Sequence, residues 1–384
     1  MFPMNVLALE GSLSTGQTIS AGQADTKLNS AESTQVEGLY DYLSQMKSQY
    51  EILNEMDAKT YITQAMKSGD GKFSFNKLVQ AAVNYGFKEL QTSMKLLISL
   101  VLIALICALL NNLQSAFSND SLTNIAYFAC YSLIIVILAK SFYVGVDAAR
   151  TVIKGMCDFM TALMPVLIML LATVGSFAEA SVMDPIILGG IEISARLFSY
   201  FLIPIICMGF VLQFVNNLSE DYKIDQLTKL INKCCLWAQG LIMAIFIAII
   251  TIRGIASSTL DQFTAKTAKF AVDNFVPIVG KSISDAISTV AGYSLLLKNS
   301  ISSLGLIVLV LIIVVPVIKL LIMAFLYKFT AALIEPISDI RIVKSISAAG
   351  DSLMLILSCV ICVSLMFFIM IAIIASAGKL ALPG

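Results

Sequence analysis

Over 384 residues the chain is 58% hydrophobic and 13% charged, with a mean hydropathy of +0.88, whereas a soluble domain carries about 45–50% apolar and about 25% charged residues. That composition excludes a water-soluble fold and predicts an integral membrane protein. Lys+Arg and Asp+Glu balance at 25 each, so global charge points to neither nucleic acid nor a polybasic membrane anchor.

Histidine is absent from the whole chain, which removes Ser-His-Asp and Cys-His catalysis, the commonest zinc ligand and the usual proton shuttle. The eight cysteines, Cys107, Cys130, Cys157, Cys207, Cys234, Cys235, Cys359 and Cys362, lie mostly in or beside apolar runs and read as packing residues. Cys359 and Cys362 form a CxxC inside SLMLILSCVICVSLMFF. A thiolate is poorly solvated there, and no second pair completes a metal site. Neither HExxH, GxSxG nor a Walker motif occurs. The chain is therefore expected to be no enzyme, with no catalytic, cofactor-binding or metal residues.

Residues 1–38 are rich in Ser, Thr, Gln and Gly and predict a disordered polar leader. The opening MFPMNVLALEG lacks the basic start and apolar length of a signal peptide, although Val6-Leu7-Ala8 has the spacing of a cleavage site. An amphipathic helical region is expected over 39–93. Leu39, Leu43, Met46, Tyr50 and Leu53 share one stripe, and after Gly71 a second helix sets Phe75, Leu78, Ala82, Tyr85 and Leu90 against Lys72, Lys77, Lys88 and Glu89. A cap packed on itself or a partner-binding helix would both fit.

The membrane domain is expected over 94–384. Apolar runs fall at 96–113, 125–144, 159–177, 197–215, 236–256, 303–327 and 353–377, each near the roughly 20 residues that cross a bilayer. The more polar 257–302 reads as amphipathic helices lying against the bundle or the interface. Segments 140–158, 216–235 and 327–351 hold three Lys or Arg each and are expected to be cytoplasmic loops. The predicted fold is an all-α polytopic transmembrane bundle with interfacial or re-entrant helices.

An internal duplication is also expected. Met164-Pro165-Val166 is echoed by Val276-Pro277-Ile278, and Ile203-Pro204-Ile205-Ile206 by Val315-Pro316-Val317-Ile318, both at an offset of 112; Ile247-Ala248-Ile249-Ile250 recurs as Ile371-Ala372-Ile373-Ile374 at 124. These matches bound repeats at 143–258 and 262–378. Seven spans place the N-terminus inside and the C-terminus outside. Equivalent repeats make 159–177 re-entrant instead, leaving six spans and both termini outside.

The stretch Ala268 to Gly280 (AKFAVDNFVPIVG), followed by Ser284-Asp285-Ala286 and Leu295-Leu296-Leu297-Lys298-Asn299, resembles the signature region of the stage III sporulation protein AE family. So does Ala331 to Asp339 (AALIEPISD) with the apolar span behind it. The likeness covers roughly residues 40 to 378. It implies a multi-pass protein of the mother-cell membrane surrounding the forespore. It further implies a subunit of a channel complex with other stage III A membrane proteins and a forespore-side partner. Homo-oligomers are also compatible with it. The family offers no catalytic residue to carry over.

Several residues stand out as pore or contact candidates. Lys319, one turn after Pro316 in an apolar run, must face protein or water, either as a pore cation or as a lysine that snorkels or pairs. Glu192 and Arg196 are spaced to pair on one helical face just after Asp184. Asp273 and Asn274 precede Pro277, where a helix break with polar groups near the membrane is expected. Pro165 and Pro204 and the pair Gly189-Gly190 could mark bends or close approaches, and Arg253 reads as an interfacial anchor. The leading function is a channel-complex subunit; the alternative is a two-repeat secondary transporter for a small solute, built around Pro204, Pro316 and Lys319.

Overall fold

A bilayer offers no water to backbone N–H and C=O groups, so an apolar chain crosses it only where each of these groups is bonded within a helix or a closed barrel. This chain takes the helical solution: in a computed structural model, all regular structure among the described residues is helical. The structure describes residues 37–45, 60, 62, 75–117, 120–174, 189–218, 224–275 and 280–377. Within them α1 spans 37–45, α2 Phe75–Phe117, α3 Asp120–Thr173, α4 189–218, α5 Asp225–Phe275, α6 Gly280–Ile334 and α7 Ile340–Ser376.

Among the described residues six helices are long and apolar enough to cross a membrane: Ala82–Leu109, Tyr131–Thr173, Gly189–Asn216, Asp225–Ile252, Gly292–Ile334 and Ile340–Ser376. The difference from seven apolar runs lies in α3, which joins 125–144 and 159–173 in one 54-residue helix. Its middle holds no proline, and its buried residues, among them Phe142, Val146, Ala149, Val152, Ile153 and Met156, recur at helical spacing. Lys140, Arg150 and Lys154 therefore lie on a helix, which corrects the cytoplasmic loop expected at 140–158. The described parts of 257–302 are helical, 257–275 continuing α5 and 280–302 opening α6.

On α1, Leu39 and Leu43 are buried in the common core, 2% and 5% exposed, as their stripe predicts; Met46, Tyr50 and Leu53 lie outside the described residues, as do residues 1–36 and Asp184. The second amphipathic stretch is the opening of α2, continuous with the first span. Gly86 on α2 faces Ile318 and Ile322 of α6.

Two helices form the centre. Of the most apolar windows, 61% of that in α3 and 56% of that in α7 is buried, against 22% in α5, whose Trp237, Leu241, Ile245 and Ile249 face outward. α6 and α7 form a tight antiparallel hairpin. Its turn is closed by the Ile337 and Ser338 N–H groups bonding to the Ile334 carbonyl, and Asp339 then caps α7 by accepting from the Arg341 N–H at 2.8 Å. The helices touch closely at Gly350, where an added Cβ would sit 3.2 Å from the Ala324 carbonyl oxygen.

Cross-helix contacts fix the register. Tyr131 on α3 donates to the Phe214 carbonyl of α4 at 3.1 Å and shares a 2.9 Å hydrogen bond with Ser345 of α7. The C-terminal end of α4 and the start of α7 thus sit at one end of the bundle, and with them the basic residues that flank its two turns, Lys229 and Lys233 on α5, Lys328 on α6, and Arg341 and Lys344 on α7. Gly145 packs against Leu320 and Leu353, and Gly305 against Leu163, so α3 runs antiparallel to α6 and parallel to α7.

The prolines in these spans do not interrupt their helices. Pro165 and Pro316 lie inside α3 and α6. Pro204 follows a π-helical turn at Leu197–Leu202, where the Ile203 N–H bonds to the Phe198 carbonyl; the wider turn makes room for a ring that clashes with the carbonyl four residues back. Pro204 and Pro316, which the expected repeat pairs, thus differ in local geometry.

Candidate functional site

Of the residues singled out in the sequence, the structure brings one pair together. The Arg196 Nε donates to Glu192 Oε1 at 2.7 Å along α4, with both side chains exposed, and the Cys157 thiol of α3 lies 3.9 Å from Glu192 Oε2. Lys319 stands apart. It is half-buried on α6 beside Pro316 and makes no hydrogen bond or ion pair among the described residues. Asp273 and Asn274 end α5 with their side chains outside the described residues, and Pro277 lies outside them altogether. Gly190 makes a close approach, since a Cβ added there would sit 3.3 Å from the Phe246 ring, whereas one added at Gly189 would meet nothing within 4 Å.

Between α4, α5 and α7 lies an open cavity of about 360 Å³, lined by Gly190, Ile193, Leu197, Ile245, Phe246 and Met366 among others. It is apolar, and the hydroxyl of Ser194 at its edge already donates to the Gly190 carbonyl. It offers a polar solute little beyond the lone pairs of that hydroxyl.

The most unusual surface is on α3. Every exposed residue from position 140 to 161 falls on one stripe: Lys140, Tyr143, Val144, Asp147, Arg150, Thr151, Lys154, Asp158 and Thr161. At 1.5 Å per residue the stripe runs about 32 Å, close to the roughly 30 Å thickness of a bilayer core. Its depth follows from the register. Gly145 is level with Leu320 and Leu353, Met156 accepts from the Ser364 hydroxyl of α7, and Leu163 is level with Gly305. Between those marks α6 reads GLIVLVLIIVVPVIKL, with Lys319 as its single charge, and α7 reads LMLILSCVICVS with none. Asp147, Arg150, Lys154 and Asp158 therefore stand level with the most apolar parts of the bundle. At such a depth each charge costs about 2.5–3.5 kcal/mol on insertion scales, and none of the four forms an ion pair among the described residues.

Comparison with known proteins places the chain. A family model described as stage III sporulation protein AE matches residues 56–378. The chain belongs to the stage III sporulation protein AE family. Within that family it is similar to the stage III sporulation protein AE of Bacillus subtilis (strain 168), with 34% identity over 315 residues, 82% of this chain and 79% of the relative. No solved structure matches. The family match covers all six membrane-crossing helices, including the AALIEPISD segment that closes the α6–α7 turn.

Two features of this family member are not evident from its sequence. Lys298, in the LLLKN segment, is fully buried; it donates to the Ile374 carbonyl at 3.2 Å and to the Ala377 carbonyl. A cation set against the carbonyls that end α7 complements the negative end of the helix dipole. The available signal was its flanking by three leucines, in a segment whose polarity obscured it. Gln239 on α5, 2% exposed, is the second. Its Oε1 accepts from the Ser358 hydroxyl at 2.7 Å and from the Cys362 thiol at 4.0 Å, and its Nε2 donates to Cys359 Sγ at 3.1 Å. The CxxC thus packs, as expected, and also takes part in a polar clasp between α5 and α7.

Proposed function

We propose that the chain is a non-enzymatic, polytopic membrane subunit of the secretion-like channel complex linking mother cell and forespore, and that it supports forespore development from the mother-cell membrane. The observation that carries this reading is the family match over 56–378, which spans the whole six-helix region rather than one motif. A chain without histidine lacks the commonest general base, which supports a structural rather than a catalytic part. The end of the bundle bearing the two basic turns faces the cytoplasm by the positive-inside rule. Its partners are other stage III A sporulation membrane proteins and a forespore-side channel protein.

Purification of the tagged protein in detergent from sporulating cells tests the proposal. Recovery together with other stage III A membrane proteins is the expected result. Recovery alone, monodisperse and in normal yield, overturns it and moves the weight to an independent two-repeat transporter.

A further inference from the structure

We propose that the α3 stripe from Lys140 to Thr161 is the wall of an aqueous path at bilayer depth, with a basic centre that favours small anions over cations. This goes beyond membership of a complex, because it concerns what the chain itself exposes to water.

The argument begins with what the stripe can face. Lipid is excluded by the four charges at Asp147, Arg150, Lys154 and Asp158, which stand level with apolar stretches of α6 and α7 that hold one charge between them, Lys319. Pairing along the helix, Asp147 with Arg150 and Lys154 with Asp158, is allowed by spacing, yet leaves every hydrogen-bonding group of those pairs without a further partner in hydrocarbon. A dry contact with the same stripe of a second copy also fails. Copies of one chain share an orientation in the membrane, so symmetry about the membrane normal sets each residue opposite its own kind at equal depth. Lys154 would meet Lys154 and Asp158 would meet Asp158. Water satisfies all of these groups at once.

Two further observations fit. α3 is the most enclosed of the six helices, so its single exposed face is a selected surface rather than a periphery like that of α5. The neighbouring helix α4 continues the polar face, since Glu192 and Arg196 lie exposed beside Cys157, one residue from Asp158. Along the path, Asp147 and Asp158 bracket Arg150 and Lys154. A hydrated anion therefore meets an attractive centre, and a cation a repulsive one.

Cysteine accessibility in native membranes tests this, with the full-length protein and a membrane-impermeant charged thiosulfonate. Thr151→Cys and Thr161→Cys are near-isosteric and keep the fold; Asp147→Cys and Lys154→Cys probe the charged positions. Ile361→Cys and Leu365→Cys, exposed on α7 at the same depth, serve as lipid-facing controls, and the unsubstituted protein gives the background of native thiols. The expected result is labelling at 151 and 161 at least tenfold faster than at 361 and 365, with an anionic reagent severalfold faster than a cationic one at 151 after correction for their rates with a free thiol. Equal labelling at all positions overturns the proposal by placing this level outside the bilayer. Absence of labelling at 151 and 161 overturns it by showing the stripe covered, and a faster cationic reagent overturns the anion preference. None of these outcomes depends on which proteins co-purify.

Discussion

The ammonium of Lys298 reaches across the hairpin to the Ile374 carbonyl at 3.2 Å, joining residues 76 positions apart at the end of α7. Because Lys298 is wholly enclosed, its loss removes a charged donor from the Ile374 and Ala377 carbonyls. Lys298→Met, which keeps the volume, is expected to cost about 1.5–3 kcal/mol, the range for hydrogen bonds to charged groups. The thermal midpoint of the detergent-purified protein measures it. An unchanged midpoint would assign those carbonyls to other donors.

The clasp at Gln239 is neutral and should matter less. Hydrogen bonds between membrane helices average about 0.6 kcal/mol and reach about 1.7. Gln239→Leu is expected at the upper end, since it strips a partner from Ser358 and Cys359 together. Ser358→Ala should cost less, because Gln239 keeps Cys359 as a neighbour. The same thermal assay ranks the two, and a larger effect from Ser358→Ala would contradict the geometry.

Glycine substitutions separate close contact from open surface. At Gly350 an added methyl meets the Ala324 carbonyl oxygen at 3.2 Å and the Lys328 side chain at 3.1 Å. The carbonyl belongs to backbone and yields little. Gly350→Ala is expected to lose about 1–3 kcal/mol through overpacking, whereas Gly189→Ala, with nothing within 4 Å, should be neutral or slightly stabilising. Membrane expression and thermal midpoint together read the difference.

Lys319 offers a prediction of the opposite sign. It sits in an apolar stretch without an ionic partner among the described residues, so Lys319→Met removes a burial cost of about 2.5–3.5 kcal/mol at most. The purified variant is expected to be at least as stable as the parent. A clear fall in midpoint would show that the lysine holds a structural contact.

The helical class and the apolar runs are legible in the sequence because hydropathy reports burial in lipid directly. The pairing of Glu192 with Arg196 is legible for a similar reason, since spacing along one helix determines it. Lys298 is not legible. Its burial depends on where α7 ends, a tertiary fact that the moderately polar stretch around it does not encode. The stripe on α3 reads as a loop, since Lys140, Arg150 and Lys154 lower local hydropathy whether they face solvent between two helices or project from one side of a single helix. Only the alternation of buried Val152, Ile153 and Met156 with exposed Thr151 and Lys154 distinguishes the two.

α3 and α6 contain 54 and 55 residues, about 81 and 83 Å of continuous helix, against a bilayer core of about 30 Å. Each is therefore a strut more than twice as long as the layer it crosses, and neither Pro165 nor Pro316 introduces a joint. Since the two struts run antiparallel and pack closely where Gly305 meets Leu163, neither can move along its axis without displacing that contact.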